Sequence, residues 1–172
     1  MAKEIFTLGH STRSLEEFLA LLKKFGIIRL VDIRTVPRSR HNPQFNRASL
    51  ADSLKKEGIA YEHLALLGGL RTARKDPPNS YWRNLSFRGF ADYMGTEDFE
   101  RGLRALEGRA EKERTALLCA EALPWRCHRS LVADALTSRG WRVFHIQGRG
   151  SAFEHRLNPA FRQTDGRISY PD

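Results

Sequence analysis

Short apolar runs alternate along the chain with stretches of helical spacing. Segments 5–8, 30–33, 59–64, 115–119 and 142–146 are brief, bounded by turn residues and rich in aliphatic side chains, and they predict five strands. Between the first two, Ser14 with Glu17 three residues on forms a capping box. Leu15, Phe18, Leu19, Leu22 and Phe25 then fall on one helical face, and Gly26 ends the helix. A second helix is predicted over 46–57, with Leu50 and Leu54 inward and Gly58 as its stop. Segment 87–94 reads as a short aromatic helix. Thr96 caps another that runs through Phe99, Leu103 and Leu106, and a last helix spans 127–139 before Gly140. Residues 34–45 are too polar and proline-punctuated for regular structure, 67–79 read as a long surface loop, and the tail after 146 carries little regular signal.

Strand–helix alternation of this kind predicts a single α/β domain over 1–172: three layers, a mostly parallel sheet of about five strands, and helices on both faces. Right-handed crossovers suggest the order 3-2-1-4-5, with the first and fourth strands adjacent at the switch point. Ligands of such sheets bind outside the carboxyl ends of the strands. That rule collects His10 and Ser11 after the first strand and Asp32 and Arg34 at the second. Glu121, Cys127, His128 and Arg129 follow the fourth strand.

Composition narrows the class of function. Two cysteines in 172 residues are too few for a disulfide framework, and no apolar run approaches a membrane span. Met1-Ala-Lys-Glu leads into the first strand without a signal-peptide core, so a reducing cytoplasm is expected. The net charge of +9 favours polyanionic partners, DNA or RNA among them. No phosphate-binding glycine loop or nucleophile elbow is present, and Gly148-Arg-Gly150 lacks the third glycine of a dinucleotide site.

The densest chemistry is Cys119-Ala-Glu121-Ala-Leu-Pro-Trp-Arg126-Cys127-His128-Arg129. A thiol at a helix N-terminus can ionise readily, and the same helix end attracts anions. The plain alternative makes Cys119 and Cys127 core packing and leaves Glu121 paired with Arg34, Arg126 or Arg129. His10 and His128 are acid/base candidates with Glu121, and each is equally readable as a satisfied turn or core histidine. Arg34, Arg83 and Arg129, with Ser11, Asp32 and Cys127, are candidates for holding an anionic substrate. Cysteines 119 and 127 lack the paired ligand spacing of a zinc site, so no metal is expected, and no cofactor is implied.

These residues sit in blocks that resemble the DUF488 family, which is widespread in prokaryotes and whose name carries no activity. The resemblance spans nearly the whole chain, from Gly9-His10-Ser11, Val31-Asp32-Ile33-Arg34 and Asn42-Pro43-Gln44-Phe45 through Leu67-Gly68-Gly69 and Trp82-Arg83-Asn84. It continues in Phe87-Arg88-Gly89, Tyr93-Met94, Cys119-Ala120-Glu121, Cys127-His128-Arg129, His155-Arg156-Leu157 and Tyr170-Pro171. It implies that the polar blocks belong together. Three functions follow as expectations. The first is an enzyme acting on a phosphate-bearing substrate, a nucleic acid or nucleotide, in an Arg/His/Glu-lined crevice. The second is a non-catalytic basic nucleic-acid-binding module, and the third is thiol or metal chemistry at Cys119 and Cys127.

Overall fold

The computed structural model describes residues 3–74 and 79–172. The remainder of the predicted 67–79 loop, at 75–78, lies outside the described residues, as do the first two residues of the chain. Strands β1 (Lys3–Gly9), β2 (Arg29–Asp32), β3 (Ala60–His63), β4 (Thr115–Cys119) and β5 (Trp141–Gln147) form a parallel array. Helices α1 (Leu15–Lys24), α2 (Arg47–Lys56), α3 (Leu85–Tyr93), α4 (Glu97–Lys112) and α5 (Arg129–Ser138) cover it.

Period-two alternation in the strands divides the core into two. Phe6, Leu8, Leu30, Ala116, Leu118 and Ile146 pack against α1 and α2 through Phe18, Leu22, Leu50 and Leu54. Ile5, Val31, Leu117 and Val143 face the other way, onto Phe90 of α3, Leu103 of α4 and Leu131 and Val132 of α5. The capping box at α1 forms as expected, with the Glu17 amide donating to Ser14 Oγ at 3.1 Å.

The five parallel strands lie in the order β3-β2-β4-β1-β5, not 3-2-1-4-5. The predicted adjacency of β1 and β4 is present, but β4 also pairs with β2. Handedness fixes the sense of a crossover and not how many places it skips. The β1–α1–β2 unit therefore leaves a gap, which β4 fills. All five β4 residues are buried, as a central strand requires.

Beyond β5 the tail is more regular than its sequence suggests. Gly148-Arg-Gly150 is a hairpin turn into antiparallel β6 (Ser151–Glu154), with both glycines at positive φ, and not a phosphate loop. β7 (Arg162–Thr164) and β8 (Arg167–Ser169) form a second hairpin around Asp165-Gly166, whose φ values of 51° and 79° fit a two-residue turn. That Asp-Gly pair was the legible signal for the hairpin.

Candidate active site

The carboxyl ends of β1 and β4 are joined beyond the strands. The His10 amide donates to the Cys119 carbonyl at 3.0 Å and the Ser11 amide to the Ala120 carbonyl at 2.9 Å. A Cβ at Gly9 would lie 1.6 Å from the Glu121 carbonyl oxygen, so only glycine lets the two backbones close here.

Cys119, at the tip of β4, faces a guanidinium. Arg129 has no solvent exposure and donates through Nη1 to Cys119 Sγ at 2.6 Å and to the Glu121 carbonyl, and through Nη2 to the Ala122 carbonyl at 2.9 Å. Burial alone would raise the Cys119 pKa. Hydrogen bonding from the Cys127 thiol and the Arg129 charge outweigh it and bring the value down to about 7. The Cys127 thiol moves the opposite way, because it shares its proton with Cys119 and is itself buried. Both cysteines are free.

Cys127 does not belong to the helix, contrary to expectation. A short turn over Pro124–Arg126 and an extended Cys127 (φ −138°, ψ 147°) precede α5, and this kink brings the two thiols together. The first helical amides are already engaged, Arg129 N–H with Cys127 Sγ at 3.5 Å and Ser130 N–H with the Cys127 carbonyl at 3.1 Å. The helix end therefore serves the thiol rather than an open anion site.

His128 Nε2 lies 3.0 Å from the carbonyls of both Ile33 and Leu67, so this nitrogen carries the hydrogen. Nδ1 is left as an acceptor, 3.6 Å from Cys127 Sγ. Burial lowers the ring to about 4, and the charges of Arg129 and Arg71 act in the same direction, which leaves a neutral imidazole. Gly69 packs on its face, where a Cβ would come within 2.4 Å of Nδ1.

These groups line a crevice of about 590 Å³ that also takes in Arg34, Glu121 and the exposed Arg126 and Trp125. Of the residues expected at the site, Arg34, Glu121, Cys127 and His128 meet there. Arg34 is locked onto Asp32 by two hydrogen bonds, Nε to Oδ1 at 2.9 Å and Nη2 to Oδ2 at 2.7 Å, and Nη2 also reaches the Phe45 carbonyl at 2.7 Å. Its Nη1 is buried and has no partner among the described residues.

The other expected residues do different work. Asp32 is wholly buried and takes the Tyr61 hydroxyl as well, at 2.5 Å, so it orients Arg34 and is closed to ligands. Burial and then Asp32 hold the Tyr61 phenol above its ordinary range. His10 turns onto the Phe45 ring, with centroids 4.5 Å apart, and donates Nδ1–H to the Ser11 carbonyl at 2.9 Å. Burial lowers its pKa despite that bond. It does not line the crevice, and neither does Ser11, whose φ of 48° marks a tight left-handed turn. Arg129 points at protein carbonyls rather than at a ligand. Arg83 is exposed beside α3, where its neighbour Asn84 caps the helix and lines the crevice. Among the described residues no group of three or more His, Cys, Asp or Glu side chains is disposed to hold a metal.

A second polar cluster escaped the sequence reading. Asp134 of α5 accepts from His155 Nε2 at 2.7 Å, the Tyr170 hydroxyl at 2.7 Å and the Asn158 amide at 3.0 Å. His155 Nδ1 and His145 Nε2 share one proton across 2.8 Å, and His145 Nδ1 meets Thr7 Oγ1 at 2.5 Å. His155 and Tyr170 fall within resemblance-bearing blocks, but no local spacing joins them to Asp134.

No curated protein and no solved structure matches the chain. The family model described as "Domain of unknown function DUF488" matches residues 14–136, which run from α1 into α5 and include both thiols, His128 and Arg129. With most of its length matched, the chain belongs to the DUF488 family.

Proposed function

We propose that the crevice is the active site of a thiol-dependent enzyme acting on a phosphate-bearing substrate. The observation that carries this reading is the contact of Arg129 Nη1 with Cys119 Sγ, beside a second thiol, at the carboxyl end of the central strand. A buried guanidinium next to a sulfur favours the thiolate, the form that attacks electrophiles. Cys119 is the nucleophile in this reading. Cys119 loses its proton to solvent, Cys127 keeps its own and donates it in a hydrogen bond to the thiolate, and Glu121 on the crevice wall exchanges protons with substrate. The unpartnered Nη1 of Arg34 and the exposed Arg126 receive the anionic group.

The competing module without catalysis needs the basic surface but gives no reason for a buried arginine that donates to a thiol sulfur at the end of β4. Free thiols poised in this way suit a reducing cytoplasm.

Alkylation with iodoacetamide at neutral pH, read by mass spectrometry, tests the reading. Cys119 is expected to label ahead of Cys127, and inorganic phosphate or a nucleoside monophosphate to slow the labelling. Labelling of neither cysteine until the protein unfolds would overturn it, as would labelling indifferent to phosphate at every concentration.

A further inference from the structure

The loops at the carboxyl ends of β1 to β4, with the β5–β6 turn, carry nine arginines and, among the described residues, a single acid, Glu121. The loops at the opposite edge carry arginine and glutamate in balance: Glu57, Glu113, Arg114 and Arg139. The excess charge of the chain is therefore concentrated at the carboxyl edge of the sheet, the edge that carries the crevice. Arg38, Arg40, Arg83 and Arg126 are exposed there and form no ion pair among the described residues. Arg34 and Arg129 are buried and anchored by hydrogen bonds to Asp32 and to backbone carbonyls, whereas these four are held by no such anchor among the described residues.

Trp125 stands in the middle of this surface with 59% of its area exposed. It is carried by the rigid turn Pro124–Arg126, and it lines two clefts at once. One is the thiol crevice of about 590 Å³, and the other is a cleft of about 810 Å³ lined by His145, Phe153, Arg156 and Glu154, whose carboxylate is paired with Arg142. A large indole exposed on a short, proline-anchored turn is an exposed apolar surface that folding does not explain. Flanked on both sides by a cleft with its own arginine, it has the layout of a stacking platform on a phosphate-binding track.

We infer that the substrate is a single-stranded nucleic acid that crosses Trp125, stacking one base on the indole and lodging the neighbouring nucleotide in the crevice beside Cys119. This rests on the proposed function for its chemistry but not for its binding. The track explains why the two clefts share a wall made by an aromatic side chain. It also explains why the arginines are spread over the loops of the carboxyl edge rather than gathered in a single pocket. Duplex DNA or RNA keeps its bases paired and offers no free face to the indole. A polyanion without bases engages the arginines alone.

Fluorescence anisotropy with a labelled oligonucleotide of about ten nucleotides, within the site sizes common for single-strand binders, tests the inference. Binding is expected to weaken steeply as salt rises. Trp125→Ala is expected to lower affinity about five- to hundredfold, the range found for loss of one stacked base. Arg126→Ala and Arg156→Ala are each expected to reduce the salt slope by about one. Trp125 is exposed, so its replacement leaves folding intact, which a thermal melt checks. An abasic oligomer or a duplex that binds as tightly as the single strand would overturn the inference, as would an unchanged affinity in Trp125→Ala. Cys119 alkylation run in parallel separates the two proposals. Labelling without strand binding removes the nucleic acid and leaves the thiol enzyme, whereas strand binding without labelling removes the thiol enzyme and leaves the interface.

Discussion

Two polar clusters adjoin α5, one through Asp134 and the other through His128 and Arg129, and they differ in one respect. The Thr7–His145–His155–Asp134–Tyr170 chain is closed: each link has a partner, and Tyr170 is fully buried. The cluster around the crevice is open. Of the five buried side-chain atoms without a partner among the described residues, His10 Nε2, Arg34 Nη1 and Arg129 Nε belong to residues in or beside it, and none belongs to the chain through Asp134. Unsatisfied buried polar atoms are expensive, so a fold retains them where something else is meant to bind or react. The closed cluster joins β1, β5, α5 and the tail, and its role is to hold them. In the open cluster Arg34 Nη1 is left without a partner among the described residues, as the proposed anion-binding role requires.

Breaking the closed cluster is expected to have the largest effect, and on stability alone. Asp134→Ala strands the Tyr170 hydroxyl and the His155 ring in the core, a loss of about 3–5 kcal/mol by analogy with broken buried pairs. Chemical denaturation checks this, and residual folded protein should still label at Cys119. A variant of near-native stability would show that the chain through Asp134 is not structural.

Acid is expected to act on both clusters. Burial lowers His128 to about 4 and His145 to about 3, with the charges of His155 and Arg129 adding to the effect at His145. Each ring is neutral when folded, whereas the unfolded rings take up protons near pH 6.5. Stability is therefore full above pH 6.5 and falls as pH drops from there through 4 toward 3, by roughly 3 kcal/mol for His128 alone. Denaturation midpoints measured across that window should decline, and His128→Gln should flatten the decline. A midpoint constant from pH 7 to pH 4 would contradict the buried neutral rings.

Arg129→Met separates reactivity from the fold of the open cluster. Without the guanidinium charge the Cys119 thiol should move up from about 7 toward the ordinary thiol range, and a rise of two pKa units would slow alkylation at pH 7 about fiftyfold. The rate at high pH should recover. A smaller effect is expected from Gly69→Ala, whose methyl group would press on His128 Nδ1. Overpacking of this kind costs about 1–3 kcal/mol, seen as a lower melting temperature with little change in Cys119 labelling.

The comparison also shows what the sequence could reveal. Strands, helices and their caps were legible because each is written in local periodicity, and the carboxyl-edge rule brought Arg34, Glu121, Cys127 and His128 to one place. Edge and orientation are different matters. His10 reaches the right edge but turns onto Phe45, and Arg129 turns inward to carbonyls, because neighbours in space and not spacing in sequence decide where a side chain points. Strand order was missed for a similar reason, since β4 enters a gap that only the whole topology creates. Asp134 and Tyr170 are 36 residues apart, and their contact depends on a tail whose only local signal was Asp165-Gly166.

The most direct test of the account is the pH dependence of Cys119 alkylation in the wild-type protein, with the modified residue identified by mass spectrometry. The rate is expected to rise with pH and reach half its plateau near 7, with Cys119 modified before Cys127. A midpoint at or above the ordinary thiol value of about 8.5, or prior modification of Cys127, would contradict the claim that Arg129 and Cys127 hold Cys119 as the reactive thiolate.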